Sequence, residues 1–546
     1  MSTRSKEVDS LFSEWDKDDS PGCMLAVIKD GEMLYERGYG LANLEHRIPI
    51  TSKSVFRIGS MSKQFTAMCI AILAEKKLLS LDDGICKYIP ELPEYAESIT
   101  IRHMVHHTSG IRSYTDLLFL SMLALDIKYA DHITKEEVLE MIVRQRNPKF
   151  EPGERYDYSN SNYYLLGLIV ERVSGKTLRE FADENIFGPL GMEYTHYHDD
   201  CKMVVKNRAY GYTLREDGKF EILMSNNEVV GDGAVFTTVD DLLLWDRNFY
   251  ESKLPGGEAL IKTIETVGVL NSGEPHTYAF GLVNSEYRGL PMISHGGAWA
   301  GFHAFMARFP EQRLSVITLA NVGTVPAQSL ALSVASLFLE KHIEDRDMDQ
   351  PDRNLSKATK FSKKKLDELA GMYRTPYGSL IEVSREESGL SVMVVGWRES
   401  RTIYTPVSKT EFRPTGGALT GSLVVQITEE NQTQFVFHQP TGQQSKWVPI
   451  PGRIPSDEMD DFTGHYHSKE LDSKFQLKKT ENATLVCVGP CSWSDEFELH
   501  KLATDELLFL TVQIRFRRNK KKQVIGFDMF LPLDTHAMRF RKMKST

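Results

Sequence analysis

The sequence predicts a multidomain protein: an α+β domain, in which an antiparallel sheet carries helices, followed by two all-β antiparallel barrels. Three observations predict it. Residues 20–340 mix hairpin and helix signals, a charged stretch near residue 350 interrupts them, and short alternating runs divided by turn residues fill the remainder of the chain. At 546 residues the chain is also too long for a single core.

The first domain is read element by element. GCMLAVIKDGEMLYERGYG is two β-runs joined at Asp30-Gly31, a hairpin turn pair. SKQFTAMCIAILAEKKL reads as a helix with few polar residues in its middle, so burial on most sides is expected. GLPMISHGG and GFHAFMARFPEQRLSVITLAN read as successive antiparallel strands turning at Pro310-Glu311-Gln312, and AQSLALSVASLFLEKHI closes the region as an amphipathic helix. Residues 344–365, EDRDMDQPDRNLSKATKFSKKK, are charged and nearly devoid of large apolar side chains, which is linker composition.

Beyond the linker, LIEVS, LSVMVVG, SLVVQI, QFVFHQ, FQLKK and ATLVCV are strand-like. This part repeats itself. Leu369-Ala370-Gly371-Met372-Tyr373-Arg374 is echoed by Phe462-Thr463-Gly464-His465-Tyr466-His467, ninety-three residues on. Each copy is expected to end in an aromatic-rich strand, TQFVFHQ or VIGFDMF, with the Pro-rich connector VPIPGRIPSDE between them. The expected organisation is therefore a first domain over 1–345, a linker over 346–365, and barrels over 366–450 and 451–546.

Hydrophobic residues at 41% and charged residues at 26% are ordinary for a soluble protein. The formal net charge of −10 argues against nucleic acid as a partner, because no excess of positive charge is available to neutralise phosphates. MSTRSKEVDSLFSEWDKDD has no apolar core of signal-peptide length, and no run of about 18 apolar residues occurs, so a cytoplasmic protein that does not engage membrane is expected. Six scattered cysteines do not form a secreted disulfide framework, and Cys487 and Cys491 are read as free thiols near a strand end.

Three motifs carry chemistry. Ser60-Met61-Ser62-Lys63 stands where the chain enters the buried helix, and residues three apart share a helical face. A serine hydroxyl needs a base, and lysine can serve only if burial or a helix N-terminus lowers its pKa. The other such spacing, Ser362–Lys365, falls in the charged linker and is read as chance. Next, Pro152-Gly153 leads into Tyr158-Ser159-Asn160 and a helix, NYYLLGLIVERV. Tyr158 and Asn160, alternate in an extended loop, would face one cleft, and the phenol would share, accept or return the serine proton. Third, in His295-Gly296-Gly297-Ala298 the paired glycines mark close approach to the backbone. There the Ala298 N–H would join the Ser60 N–H as an oxyanion hole, with His295 a polar or positive group opposite the serine. Alone, each motif is also compatible with an ordinary helix start, packed loop or turn.

Together, in this order and spacing, they resemble the signature S-x-x-K, Y-x-N, K/H-x-G of the penicillin-binding-protein and class C β-lactamase-related serine hydrolases. Phe56-Arg57-Ile58-Gly59, His106-His107-Thr108-Ser109-Gly110-Ile111 and Asp232-Gly233-Ala234-Val235-Phe236-Thr237-Thr238 before Asp240-Asp241 support the resemblance, which covers about residues 15–340. It implies a β-lactamase-like first domain and catalysis through an acyl-enzyme by Ser60, Lys63, Tyr158 and His295. Asn160, Gly297 and Ala298 would bind substrate and oxyanion, with no metal or other cofactor.

Histidine at 295, where many members carry lysine, and the two appended barrels resemble D-aminopeptidase, whose catalytic domain precedes two eight-stranded, lipocalin-like barrels. That likeness implies a peptidase releasing N-terminal D-residues from small peptides or amino acid amides, and a possible homodimer. A loop of the last barrel would then limit the substrate, and Gly489–Glu496, with Trp493, Asp495 and Glu496, is the candidate. The alternatives are an esterase or weak β-lactamase of the same family, or a non-catalytic binding protein on the same fold. His103, His106 and His107 lack a carboxylate at metal spacing and are read as structural, and Arg517–Lys522 as a solvated hairpin loop.

Overall fold

The computed structural model describes residues 3–118, 132–343 and 361–543, apart from 216, 377–378, 388, 396, 417–418, 420, 429–432, 439–443, 451–453, 472, 483, 489–496, 510–511, 532–533 and 535. The chain divides into two compact units: Met1–Thr115 with Lys128–Glu344, and Asp116–Ile127 with Asp345–Thr546.

The first unit is built on a six-stranded antiparallel sheet. Its strands are β1 (Cys23–Lys29), β2 (Glu32–Tyr39), β3 (Val283–Tyr287), β4 (Leu290–Trp299), β5 (Phe302–Phe309) and β6 (Leu314–Ala320), in the order β3-β4-β5-β6-β1-β2. The β1–β2 turn takes positive φ at both Asp30 and Gly31, 53° and 79°, which suits the twist of a two-residue hairpin. The first strand zips onto the last, from Cys23 opposite Ala320 to Lys29 opposite Leu314. That interior pair is buried on both faces, so CMLAVI reads as a continuous apolar run and LSVITLA as one interrupted only by Ser315 and Thr318. One face packs against helices α1 (Thr3–Leu11) and α5 (Ala327–Leu339), with Val8, Leu25, Val27, Val316, Leu330 and Ala331 in one core; α4 (Val239–Glu251) contacts β1 and β6. Helices α2 (Lys63–Glu75) and α3 (Asn160–Ser174) pack together beside the sheet. Every residue of α2 from Lys63 to Leu73 is buried.

In the second unit, a short helix, α6 (Lys363–Leu369), leads into a closed eight-stranded antiparallel barrel, running from Gly371–Arg374 to Gln444–Pro449. Leu366 and Leu369 of α6 join Tyr373, Tyr404, Phe412, Phe435 and Trp447 in its core. The last part is a nine-stranded antiparallel sheet whose two outer strands, Phe497–Glu498 and His500–Ala503, are neighbours along the chain. One pairs with Leu485–Val488 and the other with Glu506–Phe509, so the two ends of the sheet meet in one segment.

The repeated hexamer has a structural meaning. Each copy lies where a seven-residue helix, α6 or α7 (Ser456–Phe462), turns into the first strand of its sheet. In each, the tyrosine hydroxyl donates to a helix-end carbonyl: Tyr373 to Leu369 O at 2.8 Å and Tyr466 to Phe462 O at 2.7 Å. The buried tyrosine thereby satisfies a C-terminal carbonyl that the helix leaves open.

Two expectations need correction. The stretch read as linker ends in helix: residues 344–360 lie outside those described, but Lys363–Lys365 form the first turn of α6. Ser362 is its N-cap, accepting from the Lys365 N–H at 3.2 Å, which explains why Ser362–Lys365 imitates the catalytic spacing. The aromatic-rich strands are penultimate rather than last, since Gln444–Pro449 and Met538–Lys542 come after them.

Candidate active site

Ser60 lies in a 3-10 turn, Gly59–Ser62, that runs directly into α2, so Ser60 and Lys63 follow one continuous coil. Lys63 Nζ lies 3.1 Å from Ser60 Oγ, 2.7 Å from Asn160 Oδ1 and 2.6 Å from the Asp232 carbonyl oxygen. The side chain is fully buried, and burial lowers its pKa to about 7, with the negative charge of Asp232 pulling the other way. The two carbonyl oxygens can only accept. When the amine is neutral they take its two N–H bonds, and its lone pair is left facing Ser60. Asn160 is held in turn, donating from Nδ2 to Thr115 Oγ1 at 3.0 Å and from its backbone N–H to Ser113 Oγ at 3.1 Å.

Tyr158 presents a buried hydroxyl toward Ser60, with Lys63 Nζ 4.8 Å from its ring centre. Burial pushes the phenol well above its usual range, only partly offset by the Ser60 hydroxyl beside it, so it holds its proton. The ring rests on His107, centroids 4.3 Å apart. His107 takes φ 56° and is fixed by the Ser159 N–H on its Nδ1 at 3.2 Å. The HTSG segment is thus a support for the Tyr158 loop. His103 Nδ1 accepts from the Thr100 N–H as a helix cap, and His106 Nδ1 meets the Tyr278 carbonyl.

His295 is polar but not positive. Burial is the main cause holding its pKa near 4, with Lys63 adding to it. Its Nδ1 lies 2.6 Å from its neighbour's carbonyl, Gly296 O, and its Nε2 lies 3.0 Å from the Tyr278 hydroxyl. A carbonyl cannot donate, so Nδ1 carries the proton and Tyr278 donates to Nε2. Tyr278 escaped the sequence reading. Its one trace is Gly281, whose φ of 70° lets this loop press on α2, where a Cβ would lie 2.4 Å from the Gln64 nitrogen.

The glycines of β4 do what their lack of a side chain allows. A Cβ on Gly297 would lie 1.9 Å from the Ile58 oxygen and 2.9 Å from the Ser60 nitrogen; one on Gly59, with φ 51°, would lie 2.6 Å from the Ala298 nitrogen. The serine turn and β4 therefore meet backbone to backbone, which brings the Ser60 and Ala298 amides to the same edge of the cleft.

That cleft, about 520 Å³, is lined by Ser60, Tyr156, Tyr158, Tyr278, His295 and Ala298 among others, and no Asp, Glu, Lys or Arg among the described residues lines it. A smaller pocket on the other side of Ser60 holds the charged pair Arg57 and Asp232, with Asn160, Asn227 and Val229. Asp232 Oδ2 accepts from the Tyr114 hydroxyl at 2.9 Å, and burial raises its pKa. Trp493, Asp495, Glu496 and Cys491 lie outside the described residues; Cys487 is a buried free thiol. Arg517–Lys522 joins Val512–Arg518 to Val524–Phe530 as a hairpin with an exposed tip. No helix among the described residues is long and apolar enough to cross a membrane.

A buried lysine aimed at a serine, beside two backbone amides, defines the class: a serine hydrolase. The Beta-lactamase family model matches residues 8–337, and the chain belongs to that family. It is 28% identical to penicillin-binding protein 4* of Bacillus subtilis over 75% of this chain and 91% of that one. It is 25% identical to the D-aminopeptidase of Brucella anthropi over 93% of each. Among solved structures, the octameric penicillin-binding protein homologue from Pyrococcus abyssi has the same fold (TM-score 0.57, 24% identity, 81% of this chain and 99% of that one).

Proposed function

We propose that this serine hydrolase is a D-aminopeptidase-like peptidase, cleaving amide bonds of small peptides or amino acid amides through an acyl-enzyme on Ser60. The observation that carries the reading is the Lys63 amine, buried, lowered to about 7 and hydrogen-bonded so that its lone pair meets Ser60 Oγ. Neutral Lys63 takes the Ser60 proton as Oγ attacks the carbonyl carbon, and the oxyanion forms against the Ser60 and Ala298 N–H groups. Tyr158 then gives its proton to the leaving amine and recovers one from the Lys63 ammonium. A water molecule releases the acyl group by the reverse path, delivering its proton through Tyr158 and Lys63 to Ser60 Oγ.

Two observations support the amide over a carboxylate-bearing substrate such as a β-lactam. Position 295 holds a neutral histidine, and the described lining of the larger cleft presents no charged side chain to a carboxylate. One relative named D-aminopeptidase, that of Brucella anthropi, aligns along 93% of the chain. The test is a panel of D- and L-amino acid amides, short acyl esters and nitrocefin, with mass spectrometry of Ser60 after fluorophosphonate. Turnover of D-amides above L-amides and nitrocefin is expected. Fast ester turnover without amidase activity would refute the peptidase, and an unlabelled Ser60 would refute the hydrolase.

A further inference from the structure

Asn227, Val229 and Asp232 form one wall of the small pocket beside Ser60. Glu228, between them, is not part of that lining. Its carboxylate meets His132 Nε2 at 3.0 Å and accepts from the Cys201 backbone N–H at 3.3 Å, and the Cys201 thiol lies against it as well. One ligand atom from each of His132, Cys201 and Glu228 lies within 4.8 Å of the other two.

An imidazole–carboxylate pair at an exposed site contributes little by itself, and the Cys201 thiol adds a weak hydrogen bond to the Glu228 carboxylate. An imidazole nitrogen, a thiol sulfur and a carboxylate oxygen converging from three separate loops are, however, three of the donors a borderline-soft ion uses. We propose that His132, Cys201 and Glu228 form a metal site for zinc(II) or a similar divalent transition ion, and that the ion braces the wall of the pocket beside Ser60.

Four-coordinate zinc, with bonds of about 2.0–2.3 Å, sets its ligand atoms about 3.3–3.8 Å apart. The His132–Glu228 separation is already near that range. The widest separation closes by side-chain rotation, since His132 is exposed and Cys201 and Glu228 are half-buried. Water completes the fourth position. On binding, the Cys201 thiol proton passes to the buffer and the thiolate becomes the ligand. Hard ions such as magnesium and calcium, which take oxygen ligands, do not suit this set. The brace acts through the backbone: the Glu228 N–H donates to Ile133 O at 3.4 Å, and the Val229 N–H to Asn227 Oδ1 at 2.7 Å. The ion would fix the Ser225–Asp232 segment to the loop carrying His132. It takes no part in the chemistry at Ser60.

The test is a cobalt(II) titration of the full-length protein after chelator treatment, read by the thiolate-to-cobalt charge-transfer band in the near ultraviolet. One equivalent is expected to bind with that band, and zinc to displace it. The band should vanish in Cys201→Ser, and binding should weaken by at least ~10–100-fold in Glu228→Gln and His132→Ala. No band at stoichiometric cobalt, or a band that persists in Cys201→Ser, overturns the site. Fluorophosphonate labelling of Ser60 in each preparation reports whether the variant has folded. Should Cys201→Ser fail there, His132→Ala, altered at an exposed position, decides: full-strength binding in it refutes the proposal. Labelling of Ser60 with no cobalt band would refute the metal site and leave the hydrolase standing.

Discussion

Lowering the pH should disable Ser60 along a limb set by Lys63. A lysine at its ordinary 10.5 supplies about one neutral amine in 3,000 at pH 7, whereas at about 7 roughly half the molecules carry the lone pair that faces Ser60. Below that value the neutral fraction falls tenfold per unit, so acylation near pH 5 should be about 100-fold slower than near pH 8. The second-order rate of fluorophosphonate labelling measures this without assuming a substrate. Lys63→Met should abolish the limb and leave a rate lower by ~10²–10⁴. Stability should respond with a defined sign. The folded pKa is depressed, so between about 7 and 10.5 the unfolded chain binds more protons, and stability rises with pH across that window. Wild type should therefore gain on Lys63→Met as pH climbs through it, read by denaturant titration. A labelling rate that is flat from about pH 6 to 9, or a limb centred above about 9, would refute the assignment of Lys63 as base.

Tyr158→Phe should slow acylation by ~10²–10⁴ while the melting temperature holds, because the hydroxyl removed is buried with no partner beyond Ser60 among the described residues; a clear loss of stability would contradict that. Gly297→Ala forces a methyl to within 1.9 Å of the Ile58 oxygen and should cost at least ~1–3 kcal/mol in chemical denaturation, with loss of Ser60 labelling. Tyr466→Phe removes the hydroxyl that satisfies Phe462 O at 2.7 Å, and calorimetry should show a loss of about 1–3 kcal/mol; no change would mean that the hexamer repeat is not a structural lock.

Much of this was legible along the chain because the relevant physics is local. Asp30-Gly31, the apolar runs of β1 and β6, and the alternation after residue 366 are short-range signals of turn and burial, and the structure has a hairpin turn at the first and strands at the others. Ser60 and Lys63 share a turn, so their approach needs only a helix. The errors are local ones of another kind: Ser362 looked like linker because capping a charged helix requires no apolar residue. His295 illustrates a different gap. Its polarity was readable from one letter, but its neutrality depends on burial and on Lys63, which lies 232 positions earlier.

By itself, then, the sequence determined the order of elements, the serine–lysine spacing and the glycines that permit backbones to touch, since each depends on neighbours a few residues away. Only the tertiary structure decided which carbonyls occupy the lysine's protons, that Tyr278 orients His295, and that Tyr158 keeps its proton. Those outcomes depend on desolvation and on hydrogen bonds between segments 17 to 169 residues apart, and no local pattern encodes the distance between them.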